Sequence, residues 1–212
     1  MYKLFTPLWL LLWLSGQIGS QSYTFSVDSE TYIDLDGGLA LTGTSNWGRD
    51  VDLEIDIPLG FTFSLFGRPI DTLYYFHTDL YTSPERSDGI INCDALVAST
   101  SSLADRGSVN DGDSQSPITY HLTGDAPARI GIIEWENAGY RDDISDNDAS
   151  AAYTNFQIWL YEKSGTIELH YGPNSPGELD GVDIIEPGVI MIKDYYYNPD
   201  SDSLSWTELF YL

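Results

Sequence analysis

The sequence predicts an all-β protein, an antiparallel two-sheet β-sandwich of jelly-roll-like form, on three observations. Every odd-numbered residue from Val51 to Leu65 is apolar, while those between are Asp52, Glu54, Asp56, Pro58, Gly60, Thr62 and Ser64. Side chains alternate across a strand with period two, so this run buries one face and wets the other. Further short apolar runs follow, separated by turns containing Gly or Pro, and aromatic residues make up 14% of the chain. No long stretch shows helical spacing. Two sheets pressing their apolar faces together satisfy such a pattern.

Residues Met1–Ser20 read as a secretory signal. Lys3 supplies the positive charge, Leu4–Leu14 the apolar stretch, and Gly16–Ser20 the small residues before a cut near Ser20–Gln21. The apolar run is interrupted by Thr6 and Pro7 and falls short of the roughly 20 residues that span a bilayer. Residues 21–212 are then expected to form a single β-sandwich domain, secreted or at the cell surface, with no membrane insertion after cleavage. Cys93 is the only cysteine, so packing rather than an internal disulfide must hold the fold. Lys plus Arg total 9 against 33 Asp plus Glu, a net charge of −24. That charge repels phosphate backbones and anionic lipid, which disfavours nucleic-acid and membrane partners.

In chain order, weak strands are expected at Tyr23–Val27 and Thr31–Asp34. Pro58 and Gly60 make the long alternation either two strands or one strongly bent strand. A strand follows at Pro69–His77. The polar region Thr78–Ser116 is the least legible, with short strands at Ile90–Ile91 and Ala95–Ala98 and an exposed loop at Asn110–Ser116. Ile118–Thr123 and Arg129–Asn137 are strands joined by a turn with Gly124, Asp125 and Pro127. Tyr153–Glu162 and Thr166–Tyr171 form the clearest hairpin. With Ser164–Gly165 at the centre of its turn, Tyr161 faces Glu168, Leu160 faces Leu169, Trp159 faces His170 and Ile158 faces Tyr171. The last strands are expected at Gly188–Lys193 and Ser205–Tyr211.

The candidate chemistry lies on that hairpin and in acidic segments. Trp159, Tyr161, Glu168 and His170 share one face, and stacked aromatics beside hydrogen-bonding groups suit a sugar ring. The same face could instead be packed over by a loop or the second sheet. Glu134 and Glu136 sit two apart on a strand, so both carboxylates share a face, as glycoside hydrolysis requires. A solvated strand face is the favoured reading of the pair. Two Asp-rich loops, Asn110–Asp113 and Asp142, Asp143, Asp146, Asn147 and Asp148, carry the oxygen ligands that calcium takes. Calcium is the only cofactor so suggested. His77, His121 and His170 are widely separated and match no zinc spacing. Tyr195–Tyr196–Tyr197 reads either as a recognition loop or as packing at a strand end.

Three blocks carry a resemblance: Ile57–Phe63 with Phe66–Gly67; Ser116–Tyr120 with Gly124, Arg129 and Ile133–Asn137; and Asn155–Glu162 with Ile167–Gly172. Together they resemble the N-terminal β-sandwich module of secreted Bacteroidetes proteins that usually carry a type IX secretion sorting tail. The resemblance covers Tyr23 to Pro173 and implies an extracellular or surface protein with no settled activity. Such proteins usually run on into further domains, whereas this sequence stops at Leu212, so a truncated reading frame is one expectation. The leading expectation is a non-enzymatic binding or surface-interaction module whose partners are polysaccharide or cell-surface components. A jelly-roll carbohydrate-active enzyme using Glu134 and Glu136, and a structural spacer of a larger exported protein, are the alternatives.

Overall fold

The Val51–Leu65 alternation becomes one strand, β2 (Glu54–Leu65), antiparallel to β3 (Arg68–Phe76). The odd residues Ile57 to Leu65 are buried, and each even neighbour is exposed. Its register with β3 breaks between Pro58 and Phe63, where Gly60 takes a φ of 73° that L side chains rarely adopt. One strongly bent strand is the result.

This computed structural model describes residues 23–24, 26–42, 46–48, 54–76, 79–84, 91–97, 99, 102–110, 112–147, 151–175, 190–198 and 200–211. The expected signal, Val51, Leu53, His77, Ile90, Ala98, Asp111, Asp148 and Gly188–Val189 lie outside them. Besides β2 and β3, the strands are β1 (Leu39–Ala40), β4 (Asp79–Tyr81), β5 (Ile91–Val97), β6 (Leu103–Ala104), β7 (Ile118–Thr123) and β8 (Ile130–Tyr140). They continue as β9 (Thr154–Tyr161), β10 (Ile167–Tyr171), β11 (Ile190–Asn198), β12 (Ser203–Ser205) and β13 (Glu208–Tyr211). A short 3-10 helix spans Arg106–Asn110, and helix α1 spans Arg141–Asn147.

The strands form two antiparallel sheets. Sheet 1 runs β1-β7-β8-β9-β10, with β6 also on β8; sheet 2 runs β12-β11-β5-β4-β3-β2, with β13 also on β11. Their inner faces make one apolar cluster, with Ile57, Leu59, Phe63, Leu73, Tyr75 and Leu96 from sheet 2 against Ile118, Ile133, Trp135, Phe156, Ile158 and Leu160 from sheet 1. Trp135 stacks on Phe156 with centroids 4.6 Å apart and meets Tyr75 of the opposite sheet at 6.1 Å. The Tyr120 hydroxyl donates to the Leu59 carbonyl across the layers at 2.7 Å, and burial raises its pKa to about 12.

Four expectations are corrected. Neither Thr31–Asp34 nor the described residues of Tyr23–Val27 form a strand; the Ile33 carbonyl meets the Gln157 side chain instead of a neighbouring backbone. Tyr23 stacks edge-on against Phe66 and accepts a hydrogen bond from the Phe66 amide. The described residues of the two short strands expected at Ile90–Ile91 and Ala95–Ala98, Ile91 and Ala95–Val97, belong to one strand, β5, lodged between β4 and β11. Asp142, Asp143, Asp146 and Asn147 lie on helix α1, not in a loop, since a helical turn carries Ile144 into the interior beside Gly139. Asp142 and Asp143 occupy its first turn, where carboxylates complement the exposed amides.

The hairpin register is the fourth. Trp159 pairs with Glu168, and Gln157 with His170, so β10 sits two residues further along than a two-residue turn dictates. The turn is longer: Tyr161 N bonds Thr166 O, and Gly165 N bonds Tyr161 O. A slip of two preserves a period of two, so Trp159, Tyr161, Glu168 and His170 still share one face.

The tyrosine run lies within β11, and Tyr195 and Tyr197 pack with Tyr81 and Cys93 on the outer side of sheet 2. It is strand packing.

A candidate binding face beneath the N-terminal segment

The outer side of sheet 1 carries polar and aromatic residues from four neighbouring strands. Thr119 and His121 come from β7, Ile132, Glu134 and Glu136 from β8, Gln157, Trp159 and Tyr161 from β9, and Glu168 and His170 from β10. Each is out of phase with the residues its strand gives to the cluster between the sheets, which turns its side chain to the opposite side.

Most of these groups join one hydrogen-bonded row. The Thr119 hydroxyl lies 3.0 Å from His121 Nε2 and donates to Glu134 Oε2 at 3.4 Å. Gln157 Nε2 donates to Glu134 Oε1 at 2.6 Å, and Trp159 Nε1 donates to Gln157 Oε1 at 2.8 Å. The Trp159 ring stacks on His170 at 4.6 Å; His170 Nε2 is 3.1 Å from Glu168 Oε2, to which the Tyr161 hydroxyl donates at 2.5 Å. All four residues expected to bind a ligand are therefore in one contiguous row. Both histidines described here are satisfied within it.

Across the row lies the segment preceding β1. The Ile33 carbonyl accepts from Gln157 Nε2 at 2.9 Å, and the Leu35 amide donates to Glu134 Oε1 at 3.3 Å. Gly38 passes so close to His121 that an added Cβ would lie 2.6 Å from its ring. Gly172, after β10, likewise abuts the Tyr32 ring, 2.7 Å from where a Cβ would stand. The segment therefore crosses sheet 1 from β10 to β7, transverse to the strands. Beneath it Glu134 and Gln157 are 3% and 1% exposed, although Ile33 itself is 67% exposed.

Between segment and sheet lies a cavity of about 560 Å³, bounded by Leu35, Asp36, Gly38 and Leu39 on one side and His121, Thr123, Ile132 and Trp159 on the other. Trp159 is half-buried and forms part of this wall. Glu134 and Glu136 do not line it, so the pair suggested for glycoside hydrolysis faces the overlying segment instead. Burial, then the charges of Glu134 and Asp34, hold the Glu136 carboxyl above the ordinary carboxylate range. Among the described residues no group of three or more His, Cys, Asp or Glu is placed to hold a metal ion. Asp142 is exposed and Asp143 buried on α1, and the side chains of Asp146 and Asp148 are outside the described residues.

Sequence reasoning passed over Gln157, Thr119 and His121 as members of the row. The period-two signal that selected Trp159 and Tyr161 also selects Gln157, two positions earlier on the same strand. No comparable signal marks the crossing of the N-terminal segment.

In comparison with known proteins, a family model described as NIDO related matches residues 22–185. No curated protein and no solved structure matches the chain.

Proposed function

The chain belongs to the NIDO-related family, and from that premise we propose that it is a non-enzymatic extracellular interaction module binding a saccharide at the outer face of sheet 1. The carrying observation is the cavity walled by Trp159, with polar groups of His121, Thr123 and Asp36 around an apolar floor. Binding sites of this size are typically apolar with a few placed polar groups. Trp159 is pre-positioned for stacking, because Gln157 holds its indole N–H and His170 braces its ring. An ordered ring forfeits little rotamer entropy when it meets a ligand.

A secreted or surface location suits a domain of this family and the export signal expected at Met1–Ser20. Among the described residues no helix is long and apolar enough to cross a membrane. The non-enzymatic reading is supported by Glu134, whose carboxylate is engaged by Gln157 and Leu35 and does not line the cavity.

A glycan array probed with the mature chain and with Trp159→Ala tests the reading. Expected is binding to at least one polysaccharide class, weakened about tenfold by the substitution, as loss of an aromatic stacking platform predicts. The unfolding midpoint serves as the control for fold. Absence of saccharide binding, or equal binding by the variant, overturns it.

A further inference from the structure

The groups under the N-terminal segment read main chain. Gln157 and Glu134 are register partners on β9 and β8, bonded to each other at 2.6 Å. Between them they hold the Ile33 carbonyl and the Leu35 amide, the acceptor and donor that flank Asp34. In an extended chain those two groups point to the same side, which is how one strand reads another in a ladder. The pair therefore imitates a strand edge on the middle of a sheet face. It recognises extended polypeptide without reading the side chain between.

The chain's own occupant is badly matched in charge. The segment carries Glu30, Asp34 and Asp36, and the face beneath it carries Glu134, Glu136 and Glu168. Like charges meet across the contact: Asp34 lies near Glu136, and Glu30 near Tyr161, the partner of Glu168. The Tyr32 and Tyr161 phenols, pushed up by burial and then by these carboxylates, register the same excess. Like-charge juxtaposition at an interface is costly, whereas opposite charge steers and holds.

We propose that this face is a docking site for an extended, positively charged polypeptide of a partner, which takes the two main-chain hydrogen bonds now held by Ile33 and Leu35 and displaces the acidic segment. The occupant follows from charge complementarity and from the main-chain geometry together. The inference goes beyond the saccharide reading, because neither Gln157 nor Glu134 lines the cavity. If no saccharide binds, this inference stands or fails on its own measurement.

The experiment is fluorescence anisotropy on the mature chain with three synthetic peptides. One has the sequence of residues 30–37; the second replaces its Glu30, Asp34 and Asp36 with Lys; the third is the second with a methyl on the nitrogen corresponding to Leu35. The proteins are wild type, Gly172→Val and Gln157→Leu. Gly172→Val places a side chain where the Tyr32 ring lies and so unseats the segment without altering the row beneath. Expected is about tenfold or tighter binding of the basic peptide than of the native-sequence peptide. Gly172→Val should strengthen binding further, and Gln157→Leu or N-methylation should remove it. Equal binding of the first two peptides overturns the proposal. So does undiminished binding of the methylated peptide, which assigns the affinity to charge alone, and that arm needs no variant to fold.

Discussion

Gln157 donates to Glu134 across one rung of the β8–β9 ladder, at 2.6 Å, and the same amide nitrogen also holds the Ile33 carbonyl of the chain's N-terminal segment. Two nearly inaccessible polar side chains thus satisfy each other and anchor a segment 99 and 124 positions earlier. Gln157→Leu strips a donor from the buried Glu134 carboxylate and from Ile33. A buried group left unpaired costs about 1–3 kcal/mol, and a charged one more. Chemical denaturation is expected to show a loss of about 2–3 kcal/mol, and limited proteolysis should then cut near Asp28–Asp36.

Glu136→Gln is expected to stabilise the protein at neutral pH. The folded carboxyl of Glu136 is raised by burial, Glu134 and Asp34, so its ionisation costs stability above the raised value. The gain is complete there and fades as pH falls to the ordinary carboxylate value, below which both states are protonated. Glu136 is exposed, and solvent screening keeps the effect under about 1 kcal/mol. Melting curves from acid to neutral pH, comparing variant and wild type, measure it.

Glu162 behaves in the opposite sense. Arg129 donates to it from Nε at 2.9 Å, from Nη2 at 2.6 Å and from the main chain at 3.1 Å, and holds its carboxyl below the ordinary value. The stability this supplies is present above the unfolded carboxylate pKa and is lost as pH falls toward the depressed folded one. Glu162→Gln should lower the melting temperature at pH 7 and converge with wild type in acid. Arg129 also reaches the Gly60 carbonyl, so the variant should loosen the bend of β2, visible as faster amide exchange there.

Phe63→Ala tests the core. Phe63 is fully buried on β2 within the cluster between the sheets. Removing a buried phenyl ring costs about 3–5 kcal/mol, so denaturant unfolding should shift by that amount with the strand signal in circular dichroism retained.

Asp105 predicts a local effect. Its buried carboxylate accepts from the Gly107 and Gln115 amides and from the Ser114 hydroxyl, tying together the turn before β7. Asp105→Ala leaves those donors without an acceptor and should cost about 1–3 kcal/mol by denaturation.

What the residues alone determined was whatever depends on period. The alternation of Val51–Leu65 specifies a one-sided strand, and the bounds of β7, Ile118–Thr123, are legible in the sequence, because alternation is a local property of the chain. The shared face of Trp159, Tyr161, Glu168 and His170 survived a mistaken register for the same reason: a slip of two leaves parity intact. Tertiary structure decided what covers that face. Thr31–Asp34 reads as a weak strand, but the partners of Ile33 and of Leu35 just after it are Gln157 and Glu134, brought to them only once β8 and β9 are paired. Helix α1 was likewise decided by burial of Ile144, which no acidic pattern announces. Long-range contacts have no sequence period, so the segment lying over the outer face of sheet 1, and the like charges that meet there, emerge only when the two sheets are assembled.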